Sequence, residues 1–186
     1  YTTLFRSQNH ILHYNIIEAL YERFKPDIMF PMMDLSLEAN ALGRETDFPA
    51  NEPATILRKP FTEDDFSIMR NIDILADARI GSYIRTVQMM STHLPDSVMK
   101  AAYVCGPFTL AALIKGTDDT AMATMLDPDN LKELIAFCNK QIIKFAAKLI
   151  ACGAELICIL EPTASLLSPA LFSDFSGKYI NEISAY

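Results

Sequence analysis

A chain of 186 residues, 51% hydrophobic and 21% charged, has enough apolar material for one domain with a substantial core, which excludes a disordered, collagen-like or low-complexity chain. Sixteen Lys and Arg against 23 Asp and Glu give a net charge of −7, a sign that repels phosphate backbones and argues against nucleic acid as a partner. Cys105, Cys138, Cys152 and Cys158 lack metal-type spacing and lie in apolar runs, as reduced core thiols of a cytoplasmic protein do. No apolar stretch reaches membrane-spanning length, because Lys144, Lys148, Gly153 and Glu155 interrupt the longest. No signal-peptide pattern opens the chain, so the expectation is a soluble, cytoplasmic protein.

Residues 10–24 place Leu12, Ile16, Leu20 and Phe24 at a spacing of four, which predicts a helix with one apolar stripe, stopped at Lys25-Pro26. Residues 27–33 form an apolar run that predicts a short buried strand, weakened by Pro31. Residues 35–42 read as a short helix ended by Gly43. Residues 44–65, with Pro49, Pro53 and Pro60, read as a long surface excursion containing short strand pieces. Helices are predicted over 66–75 and 80–92, a strand over 98–105, a helix over 108–114 and another short one beginning at 117–120. Asp127 as N-cap and Pro128 at the first helical position open the clearest helix, with Leu131, Leu134, Cys138, Ile142, Phe145 and Leu149 on one face and Gly153 as its stop. Residues 154–160 are a nearly continuous apolar strand, the pattern of a strand covered on both faces. Ser168-Pro169 caps a last helix, with Phe172, Phe175, Tyr179 and Ile183 on one stripe. Strand alternates with helix, the order of βα units on a parallel sheet.

Three stretches carry a resemblance. Met33-Asp34-Leu35 with Ala41-Leu42-Gly43 is the first, Gly106-Pro107-Phe108-Thr109-Leu110-Ala111 the second. The third runs from Gly153-Ala154-Glu155 through Glu161-Pro162-Thr163-Ala164-Ser165 to Ser168-Pro169 and Phe172. Together they resemble the uroporphyrinogen decarboxylase superfamily, which includes the corrinoid-dependent methyltransferases. The resemblance implies a portion of a (β/α)8 TIM barrel, with strands two to four at 27–33, 98–105 and 154–160. Such a barrel needs about 250 residues, so residues 1–186 read as a single-domain, N-terminal-half fragment lacking the first strand and the C-terminal half. A small complete three- or four-stranded α/β domain is the other reading. An open sheet also exposes edges and an apolar face, which predicts binding of a hydrophobic dye and self-association into a homo-oligomer.

The third block resembles the methylcobalamin:coenzyme M type of methyltransferase, implying methyl transfer between a corrinoid, free or on a corrinoid protein, and a thiol or other small acceptor or donor. The implied cofactors are the corrinoid and zinc, with the zinc ligands expected outside this chain. Uroporphyrinogen decarboxylation is the alternative, since Asp34 matches the aspartate that binds pyrrole N–H groups in that branch. Against it, residues 110–114 lack the tyrosine that follows the decarboxylase motif, and the decarboxylase serine falls near Pro162. A non-catalytic corrinoid-binding module of the same fold is the third reading.

The carboxyl ends of the strands are expected to converge on a shared hollow, where barrel active sites collect. Asp34 and Glu161 are therefore the candidate catalytic residues, with Cys105, Thr109 and Ser165 as candidate substrate-binding neighbours. Each has a structural reading beside the functional one. Asp34 can cap the following helix, Glu161 can accept backbone N–H bonds, Cys105 can be an inert buried thiol, and Thr109 and Ser165 can cap helices. His10 and His13 share a helix face but lack a third ligand, so solvated histidines are expected, with His93 at the surface.

Overall fold

The computed structural model describes residues 9–49 and 52–186. Helix α1 (His10–Phe24) starts where the Asn9 side chain accepts from the N–H groups of Ile11 and Leu12. It ends at Lys25, whose left-handed backbone (φ 45°) is followed by Pro26. The buried face is His13, Tyr14 and Ile17, while Leu20 and Phe24 are exposed, a correction to the sequence stripe. Steps of four overrun the 3.6-residue turn by about 40° each, so three such steps leave the face they started on.

Strand β1 is only Ile28–Met29. The ladder stops short of the predicted 27–33 because Pro31 has no N–H and the N–H of Met32 donates to His13 Nε2 at 2.8 Å instead. Helix α2 (Leu37–Ala41) follows, then the hairpin β2 (Thr46–Asp47) and β3 (Thr55–Ile56), the strand pieces expected in the surface excursion. Helix α3 (Glu63–Met69) opens with a capping box between Thr62 and Asp65 and is shorter than the predicted 66–75, the remainder being the 3₁₀ turn Ile74–Ala76. Helix α4 (Ala78–His93), capped by Asp77, leads to β4 (Met99–Cys105).

After β4 come α5 (Pro107–Lys115), α6 (Thr117–Leu126) and α7 (Pro128–Ala151). The buried face of α7 contains all six predicted positions from Leu131 to Leu149. Asp127, expected as its side-chain N-cap, accepts from the Asn130 amide instead. Gly153 takes φ 101°, the left-handed turn that returns the chain to β5 (Leu156–Leu160). The predicted final helix is broken into α8 (Pro169–Phe172), a π turn at Ser173–Gly177 and α9 (Lys178–Ala185). The wider π turn rotates Phe172 out to solvent, leaving Phe175, Tyr179 and Ile183 buried.

The three strands β1, β4 and β5 form one parallel sheet with β4 in the centre, Ala101 to Cys105 lying opposite Leu156 to Leu160. Helices α4 and α7 pack on it, and α5 packs on α7. Phe108 and Phe145 are fully buried, and Phe145 meets Tyr83 edge to face at 5.9 Å. Each such side chain contributes about 1.5–3 kcal/mol by leaving water. Strand β5 is only half-buried, less covered than its apolar sequence predicts, since among the described residues it pairs on one edge alone. Cys105 and Cys138 are buried and Cys152 and Cys158 half-buried, all four as free thiols. Among the described residues, no helix is long and apolar enough to cross a membrane.

Candidate active site at the carboxyl end of the sheet

Parallel strands direct their carboxyl ends to one side of the sheet, so residues following β1, β4 and β5 meet there although they are far apart in sequence. Asp34 is the first. It lies between β1 and α2, and its Oδ1 accepts from the Ser36 N–H at 3.0 Å and the Ser36 hydroxyl at 2.6 Å, an Asx turn into the helix. Its Oδ2 accepts from Arg79 Nη2 at 2.5 Å. Arg79, on the first turn of α4, also donates to Asn40 Oδ1 at 2.7 Å and lies over the Phe48 ring, 4.7 Å from its centroid. The side chains are 4% exposed for Arg79 and 12% for Asp34, so this is a buried ion pair with most of its hydrogen bonds supplied.

Glu38 lies in the first turn of α2, four residues beyond Asp34. It is 2% exposed, and its Oε1 accepts from the backbone N–H of Cys105 at the end of β4, 2.7 Å away. Burial pushes its carboxyl up to about 7, reinforced by the Asp34 charge and opposed by the Cys105 and Glu38 amides and the Arg79 cation. Asp34, Glu38, Tyr83, Tyr103, Cys105 and Leu160 line a narrow cavity with room for about one water. The Tyr83 hydroxyl accepts from the N–H of Tyr103, whose ring stacks on Phe30 at 4.4 Å. Behind this wall, His13 is buried. Burial lowers its imidazole to about 4 despite the pull of Asp34, and because Nε2 accepts from Met32, the neutral ring carries its proton on Nδ1.

Glu161 follows β5, and its carboxylate turns to the start of α5. Oε1 accepts from the N–H of Phe108 at 2.8 Å and from the Ser176 hydroxyl at 3.0 Å, and the N–H of Thr109 lies 3.3 Å from Oε2. Gly106, the residue before α5, has no side chain to cap the helix, and Glu161 supplies the missing acceptor. Burial raises its carboxyl, and the Thr109 and Phe108 amides and the Ser176 hydroxyl oppose that rise. A Cβ on Gly106 would lie 1.5 Å from Glu161 Oε2. Gly106→Ala is therefore expected to expel the carboxylate, strand these donors and cost about 2 kcal/mol. An unchanged denaturant midpoint in the variant would show that the helix start does not depend on the carboxylate.

The structure brings Asp34 and Cys105 to one cavity and leaves Glu161 outside its lining, committed to α5. Cys105 is buried, and burial together with the Glu38 and Glu161 charges raises its thiol well above its ordinary value, which disfavours a thiolate. Thr109 is buried, its hydroxyl accepting from the Thr163 N–H at 3.1 Å, so it joins two backbone segments. Ser165 is exposed in the 3₁₀ turn Pro162–Leu166. His13, expected in solvent, is buried, a correction that follows from the rotated face of α1. His93 is exposed as expected. Sequence reasoning missed Arg79 and Glu38. The spacing of Asp34 and Glu38, four residues apart in an otherwise apolar or small-residue stretch, is a signal that could have exposed the second acid; Arg79 has no comparable local mark.

The uroporphyrinogen decarboxylase (URO-D) family model matches residues 6–186. A uroporphyrinogen decarboxylase from Roseobacter denitrificans is 27% identical over 169 residues, covering 88% of this chain and 48% of that protein. One from Prochlorococcus marinus is 26% identical over 188 residues, covering 96% of this chain and 53% of its own length. The chain thus spans about half the length of the curated relatives it matches. A solved structure, a methyltransferase from Methanosarcina mazei, superposes with a TM-score of 0.87 at 19% identity, over 96% of this chain and 54% of that one. That likeness extends over the parallel sheet and its covering helices, in keeping with the partial barrel expected from sequence. With its family model matched along nearly the whole length, the chain belongs to the uroporphyrinogen decarboxylase family.

Proposed function

We propose that the protein moves a methyl group between a corrinoid and a small thiol, the methyltransferase chemistry of its family rather than porphyrinogen decarboxylation. The observation that carries this reading is the state of Asp34. A carboxylate has about four lone-pair sites, and here Ser36 takes two and Arg79 a third, in a position 12% exposed. Asp34 so held is a poor acceptor for several ring N–H groups at once, and serves better as a fixed negative wall of a small site. The aliphatic run from Leu110 to Ile114, where the decarboxylase motif continues with tyrosine, points the same way. The names of the curated relatives favour the decarboxylase, which therefore stands as the second reading.

Among the described residues, no group of three or more His, Cys, Asp or Glu is arranged to hold a metal ion. The resemblance places the zinc ligands outside this chain, and the described residues offer no zinc site of their own. The cavity beside Asp34 is far smaller than a corrinoid, so the corrinoid would be a substrate presented at its mouth, free or on a corrinoid protein. The chain's own residues would orient the acceptor. The Arg79–Asp34 pair fixes the floor, the stacked Tyr103 and Phe30 rings form a flat wall, and Tyr83 holds Tyr103 in register. Full-length protein incubated with methylcobalamin and 2-mercaptoethanol is expected to yield the methyl thioether and demethylated cobalamin. Carbon dioxide release from uroporphyrinogen, with no loss of methyl from methylcobalamin, would replace this reading with the decarboxylase. Binding of cobalamin without turnover of either would replace it with the non-catalytic binder.

A further inference from the structure

Glu38 is a carboxyl that nothing in the fold explains as an ion pair. Its one hydrogen-bonded partner across the sheet is the backbone N–H of Cys105, a bond that a neutral side chain could accept equally well. The nearest cation, Arg79, is already held by Asp34, Ser36 and Asn40. A buried acid without its own counter-charge favours the neutral form, so Glu38 holds a proton to higher pH than an ordinary carboxyl. It is not sealed in: it lines the same cavity as Asp34, Tyr83 and Tyr103, where there is room for about one water, the span over which a side chain still exchanges a proton with a bound group.

We propose that Glu38 is the proton acceptor of this site, taking the proton of a thiol bound at the cavity mouth beside Asp34 by way of a single water. This deepens the methyl-transfer reading and rests on it. In the step, the S–H bond breaks and its electron pair stays on sulfur. The proton passes to the water, a proton of that water passes to the Glu38 carboxylate, and the thiolate is left to take the methyl group. The groups facing Glu38 suit the exchange. Asp34, in the turn before α2, raises its proton affinity, Arg79 on α4 and the Cys105 N–H on β4 lower it, and burial, the largest influence, leaves it near 7. Tyr83 on α4 and the Cys105 thiol are both held neutral by burial, so neither competes for the proton.

The test is the pH profile of methyl transfer from methylcobalamin to 2-mercaptoethanol by the full-length protein. The wild type is expected to show a limb in kcat with a midpoint near 7. Glu38→Gln keeps an acceptor for the Cys105 N–H but cannot titrate, so it is expected to lose the limb and roughly 100-fold in kcat while KM changes little. Glu38→Asp, which keeps a carboxyl, should retain a limb at a shifted pH, and loss of the limb in both variants alike would overturn the assignment. Carbon-13 NMR of the glutamate carboxyls gives a readout independent of turnover: one carboxyl titrating near neutrality in the wild type should be missing from Glu38→Gln. An active wild type with an unchanged Glu38→Gln profile overturns the role of Glu38 alone. A wild type that does not methylate the thiol overturns the methyl-transfer reading on which it rests.

Discussion

Arg79→Met is expected to destabilise the protein by about 3–5 kcal/mol, the cost of removing one partner from a buried ion pair. Methionine replaces much of the stem volume but none of the charge. Asp34 is then left 12% exposed with only Ser36 as donor, Asn40 Oδ1 loses its partner, and the Phe48 ring loses the cation above it. The loss should reside mainly in the stranded carboxylate rather than in the missing attraction. Adding Asp34→Asn to Arg79→Met should therefore recover part of it, since no unpaired charge remains. Denaturant unfolding of the two single variants and the double variant, followed by circular dichroism, measures the coupling directly. A single-variant loss below about 1 kcal/mol would place the pair with solvent-screened surface bridges. The same pair ties α2 to the start of α4 and, through Phe48, to the β2–β3 hairpin. The floor of the candidate site and the hairpin beside it are thus held by one guanidinium.

Local patterns were readable where they report local physics. Pro128 opening α7, the 3-4 spacing of its apolar face, Gly153 at its end and the Gly106-Pro107 junction all mark backbone events within a few residues, and the structure has them. The stripe on α1 misled because a helix face is decided by what packs on it. Against α4, the chain buries His13, Tyr14 and Ile17 rather than Leu20 and Phe24. The strand at 27–33 shortened because one N–H, that of Met32, found a histidine on another element. The site was half legible for the same reason. Asp34 stands at a strand end and shows itself, but the partner that fixes it comes from α4, and no spacing rule links positions 34 and 79. Glu161 also stands at a strand end, yet its carboxylate serves a helix that starts at Pro107. Which strand-end acid faces a cavity and which caps a neighbour is a property of the assembled sheet.

Glu38→Gln should become progressively more stable relative to the wild type as pH rises, by about 3 kcal/mol between pH 4.5 and pH 8. The folded carboxyl is pushed up to about 7 from an ordinary value of 4.5, so between those two values the native state holds a proton that the unfolded chain has released. Stability then falls with increasing pH across that window. Below it both states are protonated and the burial of Glu38 costs little; above it both are ionised and the full desolvation cost is borne. Glutamine cannot ionise and accepts from the Cys105 N–H at every pH, so its curve lacks this decline. Glu161, which burial also raises, contributes equally to both proteins and drops out of the difference. Urea unfolding of wild type and variant at pH 5, 6, 7 and 8 gives that difference directly, and parallel curves would mean that Glu38 ionises as it does in water. Arg79 lowers the proton affinity of the folded Glu38, so in Arg79→Met the decline should begin at the same pH, set by the unfolded chain, but run on to higher pH than in the wild type, with Asp34 acting on Glu38 without that cation. That extension would show the Arg79 charge acting on the ionisation of Glu38 from its place on α4.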